Sequence, residues 1–100
     1  MAYKDIISCI YKITTLHNSE FYIGSAKCFY SRRYRHIASL DKNIHHSKYL
    51  QRVYNKHGKN NLIFEIVEVC EEEDLILREQ FYIDLLNPKY NSCKTAGRTN

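Results

Sequence analysis

Two short apolar segments joined by a polar bridge constrain the fold of this chain more than any other feature. The segments are residues 6–13 and 21–24, and each carries a tyrosine. The bridge, residues 15–19, holds Thr, His, Asn and Ser, which favour turns. Alternating apolar residues on both sides of a turn are typical of paired antiparallel strands. The pattern predicts a β-hairpin whose second strand ends at Gly24. In its first strand, one side of the sheet carries Ile7, Cys9, Tyr11 and Ile13.

A basic amphipathic helix is predicted immediately after the hairpin, over residues 29–40. Five apolar or aromatic side chains repeat there at helical spacing and predict one buried face: Phe29, Tyr30, Tyr34, Ile37 and Leu40. Arg32 and His36 are four residues apart, which places them together on one side of a helix. Arg33 falls inside the apolar arc, so we expect its stem to cross the core or its head to enter the same cleft.

Two further elements follow. Ser47 is a suitable N-cap for a second helix, and Gly58 is a suitable end for it. Residues 62–70 are rich in β-branched and apolar side chains, which predicts a third strand of the same sheet.

The last predicted helix, residues 71–86, carries an acidic residue in an unusual position. Its predicted apolar face has Glu79 at the centre, together with Leu75, Ile76, Tyr82, Ile83 and Leu86. Burying a carboxylate is costly unless a cation or hydrogen-bond donors meet it. We therefore expect a metal ion or an arginine beside Glu79. Beyond Pro88, residues 90–96 are predicted to return along the sheet and to bring Asn91 near it.

Charge is distributed unevenly along the chain. Residues 1–60 hold eleven Lys or Arg and three acidic residues, a balance of +8, whereas residues 61–100 hold four and eight, a balance of −4. A basic half interleaved with tyrosines is typical of proteins that bind polyanions. A solvated lysine-rich face explains the charge equally well. If the partner is a nucleic acid, the predicted contacts are Lys27, Arg33, Arg35, Lys48, Arg52 and Lys56.

Several classes of protein do not fit the composition. At 100 residues we expect a single domain covering the whole chain. No apolar run approaches the roughly 18 residues of a membrane helix, and the N-terminus lacks a secretion signal, so we expect an intracellular protein in the cytoplasm, or in the nucleus of a eukaryotic host. The four cysteines contain no CxxC pair, and the adjacent His45 and His46 do not have zinc-ligand spacing, so we expect neither a disulfide framework nor a zinc site.

Taken together, the motifs resemble the GIY-YIG nuclease superfamily, and are most similar to the catalytic domain of phage intron-encoded homing endonucleases. The resemblance covers about residues 8–97 and rests on these segments, in order: Cys9-Ile10-Tyr11, Tyr22-Ile23-Gly24, Arg32 and His36, His45 with the following KYLQRVYNKHG segment, Glu79 within REQFYI, and Tyr90-Asn91. It implies a small α+β fold with a central three-stranded, mainly antiparallel sheet and about three helices. It also implies hydrolysis of DNA phosphodiester bonds with one Mg²⁺ or Mn²⁺ ion.

The resemblance assigns a role to each site residue. Tyr11 would be the general base that activates water, and Tyr22 would orient water and phosphate. From the chemistry of the residues themselves, Arg32 would donate hydrogen bonds to the scissile phosphate and Glu79 would hold the metal ion. His36 completes the expected catalytic set, in which Arg32, the metal and His36 would lower the pKa of Tyr11 or carry its proton onward. The supporting residues are Gly24, His45 and Asn91.

We expect the tyrosines, Arg32 and Glu79 to share one open, positively charged cleft. Cys9 stands where the family has glycine, and the hairpin should tolerate this small residue. No linker or DNA-targeting motif is recognisable after residue 97, so specificity would come from this domain, from a partner protein or self-association, or the chain derives by deletion from a larger parent. Two alternatives stay open: a non-catalytic nucleic-acid-binding module, and a nuclease that selects branched DNA.

Overall fold

The computed structural model describes residues 6–97 and confirms an α+β fold. The N-terminal segment considered above for a secretion signal lies partly outside the described residues. Single 3₁₀ turns cover Lys59–Asn61 and Glu72–Asp74. The regular elements, in chain order, are β1 (Cys9–Thr15), β2 (Phe21–Ala26), α1 (Phe29–Asp41), α2 (Lys48–His57), β3 (Leu62–Val69) and α3 (Leu75–Leu86).

The three strands form one antiparallel sheet in the order β2-β1-β3. The hairpin is confirmed, and its register places Tyr11 directly opposite Gly24. Two predicted boundaries were wrong. β1 begins at Cys9 rather than at residue 6, and β2 continues past Gly24 to Ala26, because Ser25 and Ala26 still pair with β1.

Each face of the sheet supports a separate hydrophobic core. On one face Cys9, Tyr11 and Ile13 pack with residues of α1 and α2, including Leu40 and Leu50. On the other face Ile10 and Ile23 pack against Leu75 and Ile83 of α3. Alternate residues of β1 and β2 therefore point towards different helices, and the hairpin carries side chains to both layers.

Helix α1 has the predicted position but a different buried face. The buried residues are Phe29, His36 and Leu40, whereas Tyr34 is 72% exposed and Tyr30 47% exposed. The predicted apolar face was therefore wrong at both tyrosines. Arg33 extends over β3, where its guanidinium carbon lies 5.6 Å from the centre of the Phe64 ring, and it does not enter the cleft described below.

Helices α2 and α3 define the remaining sides of the molecule. Ser47 caps α2 by accepting a hydrogen bond from the Leu50 N–H, as predicted, and Gly58 ends the helix with a φ of 82°. Helix α3 begins at Leu75 rather than at residue 71. Its buried residues are Leu75, Glu79 and Ile83, which confirms the central position of the carboxylate. Ile76 and Leu86 were wrongly assigned to the buried face, because both are exposed.

The segment after α3 returns to the outer edge of β2 without forming a strand. The Asn91 side chain accepts a hydrogen bond from the Ile23 N–H and donates one to the Ile23 carbonyl, both at 2.8 Å. The Tyr90 N–H donates to the Phe21 carbonyl. The predicted approach of Asn91 to the sheet is therefore confirmed. Within residues 6–97 no helix is both long enough and apolar enough to span a bilayer.

Candidate active site

A cleft of about 270 Å³ opens between the hairpin, α1 and the loop before α2. Among the described residues, the side chains that line it include two arginines, three histidines and no carboxylate: Tyr22, Arg32, Arg35, His36, Ser39, His45 and His46. Tyr11 and Glu79 lie behind this lining, with 1% and 5% of their surfaces exposed. The expectation that all these groups share one open cleft was therefore correct for Tyr22 and Arg32 only, because sheet packing covers Tyr11 and Glu79.

Gly24 allows the Tyr11 ring to cross the hairpin. The two residues face each other in adjacent strands. A β-carbon placed at Gly24 would collide with the phenol oxygen and the neighbouring ring carbon of Tyr11. Glycine is needed here for space rather than for an unusual backbone angle, because the residues with positive φ lie elsewhere. This close approach gives the predicted supporting residue Gly24 a definite structural role.

A chain of hydrogen bonds connects Tyr11 to the start of α2. The Tyr11 hydroxyl and His36 Nε2 are 2.5 Å apart, and His36 Nδ1 is 2.7 Å from His45 Nε2. The Ser47 N–H donates to His45 Nδ1 at 3.0 Å. All three side chains are at least 95% buried, so these contacts replace the water that each polar group would otherwise bind. The structure therefore brings the predicted Tyr11, His36 and His45 into direct contact.

His46 is a cleft residue that the sequence analysis did not identify. Its Nε2 is 3.1 Å from the Tyr22 hydroxyl, and its ring forms part of the cleft lining. Burial and the nearby Arg32 lower its pKa. The sequence signal was the pair His45-His46, which was tested only against zinc-ligand spacing. Consecutive residues in a loop can both face the same cavity, so the adjacent histidines could have indicated that His46, like His45, belongs to the site.

Glu79 meets hydrogen-bond donors and a positive charge, as expected for a buried carboxylate. Ser25 donates its hydroxyl hydrogen to Glu79 Oε1 at 2.6 Å. Arg32 donates to the backbone carbonyl of Ser25 at 2.8 Å. Burial raises the pKa of Glu79, whereas the Ser25 hydrogen bond and the Arg32 charge lower it. Ser25 was also missed, although strand alternation from Ile23 would have placed its hydroxyl on the side facing α3.

The two phenols are protonated in this arrangement. Burial raises the pKa of both Tyr11 and Tyr22 above the ordinary value. The Arg32 charge lowers both pKa values, as the sequence analysis expected for Tyr11, but burial is the larger effect. Burial also lowers the pKa of His36 well below its usual range and that of His45 to about 4. Both imidazoles are therefore neutral at neutral pH.

The chemistry of Glu79 fits a single hard cation. No group of three or more His, Cys, Asp or Glu within residues 6–97 has the arrangement of a metal site. One carboxylate suits Mg²⁺, which keeps much of its hydration shell and takes other ligands from phosphate. A cation at Glu79 would also offset the burial that raises the pKa of this carboxylate. The residues present therefore fit one Mg²⁺ or Mn²⁺ ion.

The predicted nucleic-acid contacts lie in different parts of the domain, and Arg33 has been described above beside Phe64. Lys48, Arg52 and Lys56 are exposed and repeat every four residues, so they form a cationic stripe along α2. Arg35 lines the cleft. Lys27 lies on another side, with its ammonium 4.0 Å from the Glu72 carboxylate.

Comparison with known proteins identifies the relatives of this fold. The family model described as the GIY-YIG catalytic domain matches residues 7–91. Intron-associated endonuclease 1 of Enterobacteria phage T4 is 44% identical over 96 residues, and the match covers 92% of this chain and 38% of that protein. Probable intron-encoded endonuclease 1 of Neurospora crassa is 36% identical over 76 residues, with coverages of 76% and 24%. The chain thus spans well under half of either relative.

Solved structures agree with these matches. The catalytic domain of homing endonuclease I-TevI superposes with a TM-score of 0.79 at 42% identity, covering 86% of this chain and 98% of that one. A mutant of the catalytic domain of intron endonuclease I-TevI gives a TM-score of 0.82 at 39% identity, with coverages of 90% and 97%. The family match and both superpositions confirm the resemblance and the fold deduced from the motifs. The chain belongs to the GIY-YIG endonuclease family, to whose catalytic domain it corresponds.

Proposed function

We propose that this domain is a divalent-metal-dependent endonuclease that hydrolyses phosphodiester bonds of DNA. One observation carries the proposal: Arg32, Tyr22 and His36 line an open cleft, and hydrogen bonds connect the buried Tyr11 to His36 and the buried Glu79, through Ser25, to Arg32. The electrostatic influence of Glu79 on both phenols, and of Arg32 on Glu79, supports a single reaction centre. Hydrolysis of a phosphodiester needs a proton acceptor, positive charge on the phosphate and a site for a cation, and this set contains each of them.

Arg32 is the proposed phosphate ligand. Its guanidinium lines the cleft and is oriented by one hydrogen bond to the Ser25 carbonyl, which leaves other N–H groups for phosphate oxygens. A planar guanidinium can bind two phosphate oxygens at once. Arg32 would therefore hold the scissile phosphate in line with the attacking water and stabilise the charge that accumulates in the transition state.

Tyr11 is the proposed general base, and His36 assists it. The phenol must lose its proton to act, which the raised pKa opposes in the protein without DNA. Arg32 and a hydrogen bond from His36 both favour the phenolate. Tyr22, whose hydroxyl contacts His46 at the cleft, would orient the water and the phosphate. When bound at Glu79, Mg²⁺ or Mn²⁺ would supply positive charge to the phosphate and the leaving 3′ oxygen.

The DNA backbone is proposed to follow α2 away from the cleft. His45 lines both the cleft and a neighbouring groove that contains Lys48 and Arg52. Arg52 in turn lines a third groove, which contains Lys56 and Tyr49. The three basic side chains extend over about 12 Å at 1.5 Å per helical residue. Because phosphates repeat about every 3.4 Å along each strand, this stripe would accompany roughly three to four nucleotides.

The wider setting of this reaction is also a proposal. We infer that the whole chain acts as a single domain, inside the cell, as the sequence analysis predicts. Selection of a DNA sequence would come from this domain, from a partner protein or self-association, or from another part of a longer parent protein.

Nicking of supercoiled plasmid tests the proposal. We expect the protein to nick plasmid with Mg²⁺ or Mn²⁺ and to lose this activity with a chelator. Arg32→Ala and Glu79→Ala should each lower the rate by at least about 100-fold, in line with loss of a transition-state contact. Lys27→Ala is the matched control, because its charge lies beside Glu72 and outside the cleft. Binding of plasmid without metal-dependent nicking would instead identify a non-catalytic nucleic-acid-binding module.

A further inference from the structure

The hydrogen-bond chain from α2 to Tyr11 has a direction, and its first donor sets that direction. At the start of the chain is the backbone N–H of Ser47, which donates to His45 Nδ1 at 3.0 Å. A backbone amide has one hydrogen and cannot accept at nitrogen, so its role is fixed. His45 Nδ1 must therefore carry a lone pair rather than a hydrogen.

The tautomer of each histidine follows from this contact. With Nδ1 as acceptor, the neutral His45 ring carries its hydrogen on Nε2, which is 2.7 Å from His36 Nδ1. His36 Nδ1 must then accept, so the hydrogen of the neutral His36 ring is on Nε2. That nitrogen is 2.5 Å from the Tyr11 oxygen. Burial lowers the pKa of both histidines, which keeps both rings neutral.

The opposite direction is excluded by the same geometry. It would require His36 to donate from Nδ1 to His45 Nε2, and His45 would then carry its hydrogen on Nδ1. Two hydrogens would face each other between His45 Nδ1 and the Ser47 amide. A doubly protonated His45 has the same conflict. Both arrangements would leave a buried donor without an acceptor, which destabilises the folded state.

We infer that His45 is a positioning residue that holds His36 as the Nε2–H tautomer, so that His36 donates a hydrogen bond to the Tyr11 oxygen. The sequence analysis left two roles open for this set, lowering the pKa of Tyr11 or carrying its proton onward, and the inferred direction favours the first role for His36. The Arg32 charge also favours the phenolate form of Tyr11, because it lowers the pKa of the phenol. The phenol oxygen therefore accepts a hydrogen bond from His36, and its own hydrogen must point away from His36.

The consequence for catalysis rests on the proposed role of Tyr11 as general base. Tyr11 cannot pass a proton to His36 while His36 Nε2 already carries one. The phenol must therefore release its proton to an acceptor other than His36, namely water. The resulting phenolate, stabilised by His36 and Arg32, can then take one proton from the nucleophilic water and return to the phenol form.

Nuclear magnetic resonance of the ¹⁵N-labelled full chain tests the inference without DNA or metal. Long-range ¹H–¹⁵N correlations distinguish the protonated from the unprotonated nitrogen of each ring. At neutral pH we expect both His36 and His45 to carry hydrogen on Nε2 and a lone pair on Nδ1. A hydrogen on His36 Nδ1 would overturn the inference. Because the spectrum needs no cleavage, it gives an answer even if the domain proves not to cut DNA.

Two substitutions of His45 separate positioning from packing. The glutamine side chain of His45→Gln can place an N–H near the original Nε2, whereas His45→Leu has similar bulk and no donor. We expect His45→Leu to lower kcat by about 10-fold or more, with KM changed less than twofold, and His45→Gln to retain most of the activity. Equal loss of kcat in both variants would contradict the inference. Should His45→Leu fail to fold, the spectrum of the unmodified protein and the His45→Gln kinetics still decide the matter.

Discussion

The absence of a β-carbon at Gly24 determines the position of the Tyr11 phenol. The Tyr11 ring crosses the hairpin through the space that a side chain at Gly24 would fill. The ring then reaches His36, and it is almost completely buried. The second triplet of the motif therefore contributes to the site through Gly24 as well as through the Tyr22 hydroxyl.

Gly24→Ala should damage activity more than a glycine substitution elsewhere. Because the added methyl group would displace the Tyr11 ring, we expect a loss of about 1–3 kcal/mol in the free energy of unfolding, measured with urea, and at least a 10-fold loss of nicking. Gly58→Ala is the control. It would strain a backbone with φ of 82° but meet no atom within 4 Å, so it should lose about 1 kcal/mol and keep its activity. Equal activity in the two variants would refute the packing role.

The ionised Glu79 side chain should lower the free energy of unfolding at neutral pH. Its pKa in the folded state is raised above the usual value by burial. Folding therefore favours the protonated carboxyl, and this contribution to stability is present at low pH and is lost as the pH rises through the folded pKa. The neutral Glu79→Gln side chain avoids this loss.

We expect Glu79→Gln to unfold at a temperature equal to or several degrees above that of the original protein at pH 7, and the difference to shrink towards pH 4. The same variant should not nick DNA. Thermal unfolding followed by circular dichroism measures the effect, and the exposed Glu73→Gln serves as control. A lower unfolding temperature at pH 7 would mean that the ionised carboxylate stabilises the fold.

At the scale of whole elements, the helices show where sequence periodicity succeeds and fails. The ends of α2 follow from local signals, the Ser47 cap and Gly58, and these were predicted. The buried face of α1 was not, because hydropathy favoured Tyr30 and Tyr34 over His36. His36 is buried because it bonds to Tyr11, 25 residues away, and to His45. Helical spacing contains no information about partners on other elements.

Helix α3 is the opposite case, because its unusual residue could be identified locally. Glu79 interrupts an apolar pattern, and that conflict predicted a buried carboxylate with a metal ion or an arginine beside it, whereas the observed hydrogen bond comes from a serine. The identity of the donor, Ser25, depends on how α3 packs against β2, which only the structure reveals. Residue types and spacing therefore predicted the members of the site better than their contacts.

The cationic stripe on α2 should account for much of the salt dependence of DNA binding. Each cation that neutralises a phosphate contributes about 0.9 to the slope of log K against log salt concentration. Replacing Lys48, Arg52 and Lys56 together by glutamine, a good helix former, should reduce that slope by about 3. Fluorescence anisotropy of a labelled duplex without divalent metal measures the slope. Lys27→Gln should leave it unchanged, and an unchanged slope in the triple variant would remove α2 from the DNA path.

At the scale of the whole molecule, the two layers of helices contribute different chemical groups to the site. The layer of α1 and α2 carries Arg32, His36 and the cationic stripe, and α3 supplies the Glu79 carboxylate. The charge imbalance between the two halves of the sequence corresponds to this division. The hairpin lies between the layers, so Tyr11 faces one helix layer while Ser25 reaches the other.

Asn91 should be important for the stability of the whole domain. It makes two buried hydrogen bonds to the backbone of Ile23, and Asn91→Ala would leave both backbone groups without these partners. We expect a loss of about 2–4 kcal/mol in the free energy of unfolding, measured with urea, together with faster hydrogen exchange at the Ile23 amide. The exposed Asn60→Ala is the control and should change stability by less than about 0.5 kcal/mol. Unchanged exchange at Ile23 would contradict this role.

The position of Asn91 also decides where another chain can extend the sheet. An exposed strand edge is a template for β-augmentation and for aggregation. A foreign peptide approaching β2 would have to displace the amide of Asn91 before it could pair with Ile23. Among the described residues β3 forms the opposite margin of the sheet, so a recruited strand would add beside β3, away from the covered side.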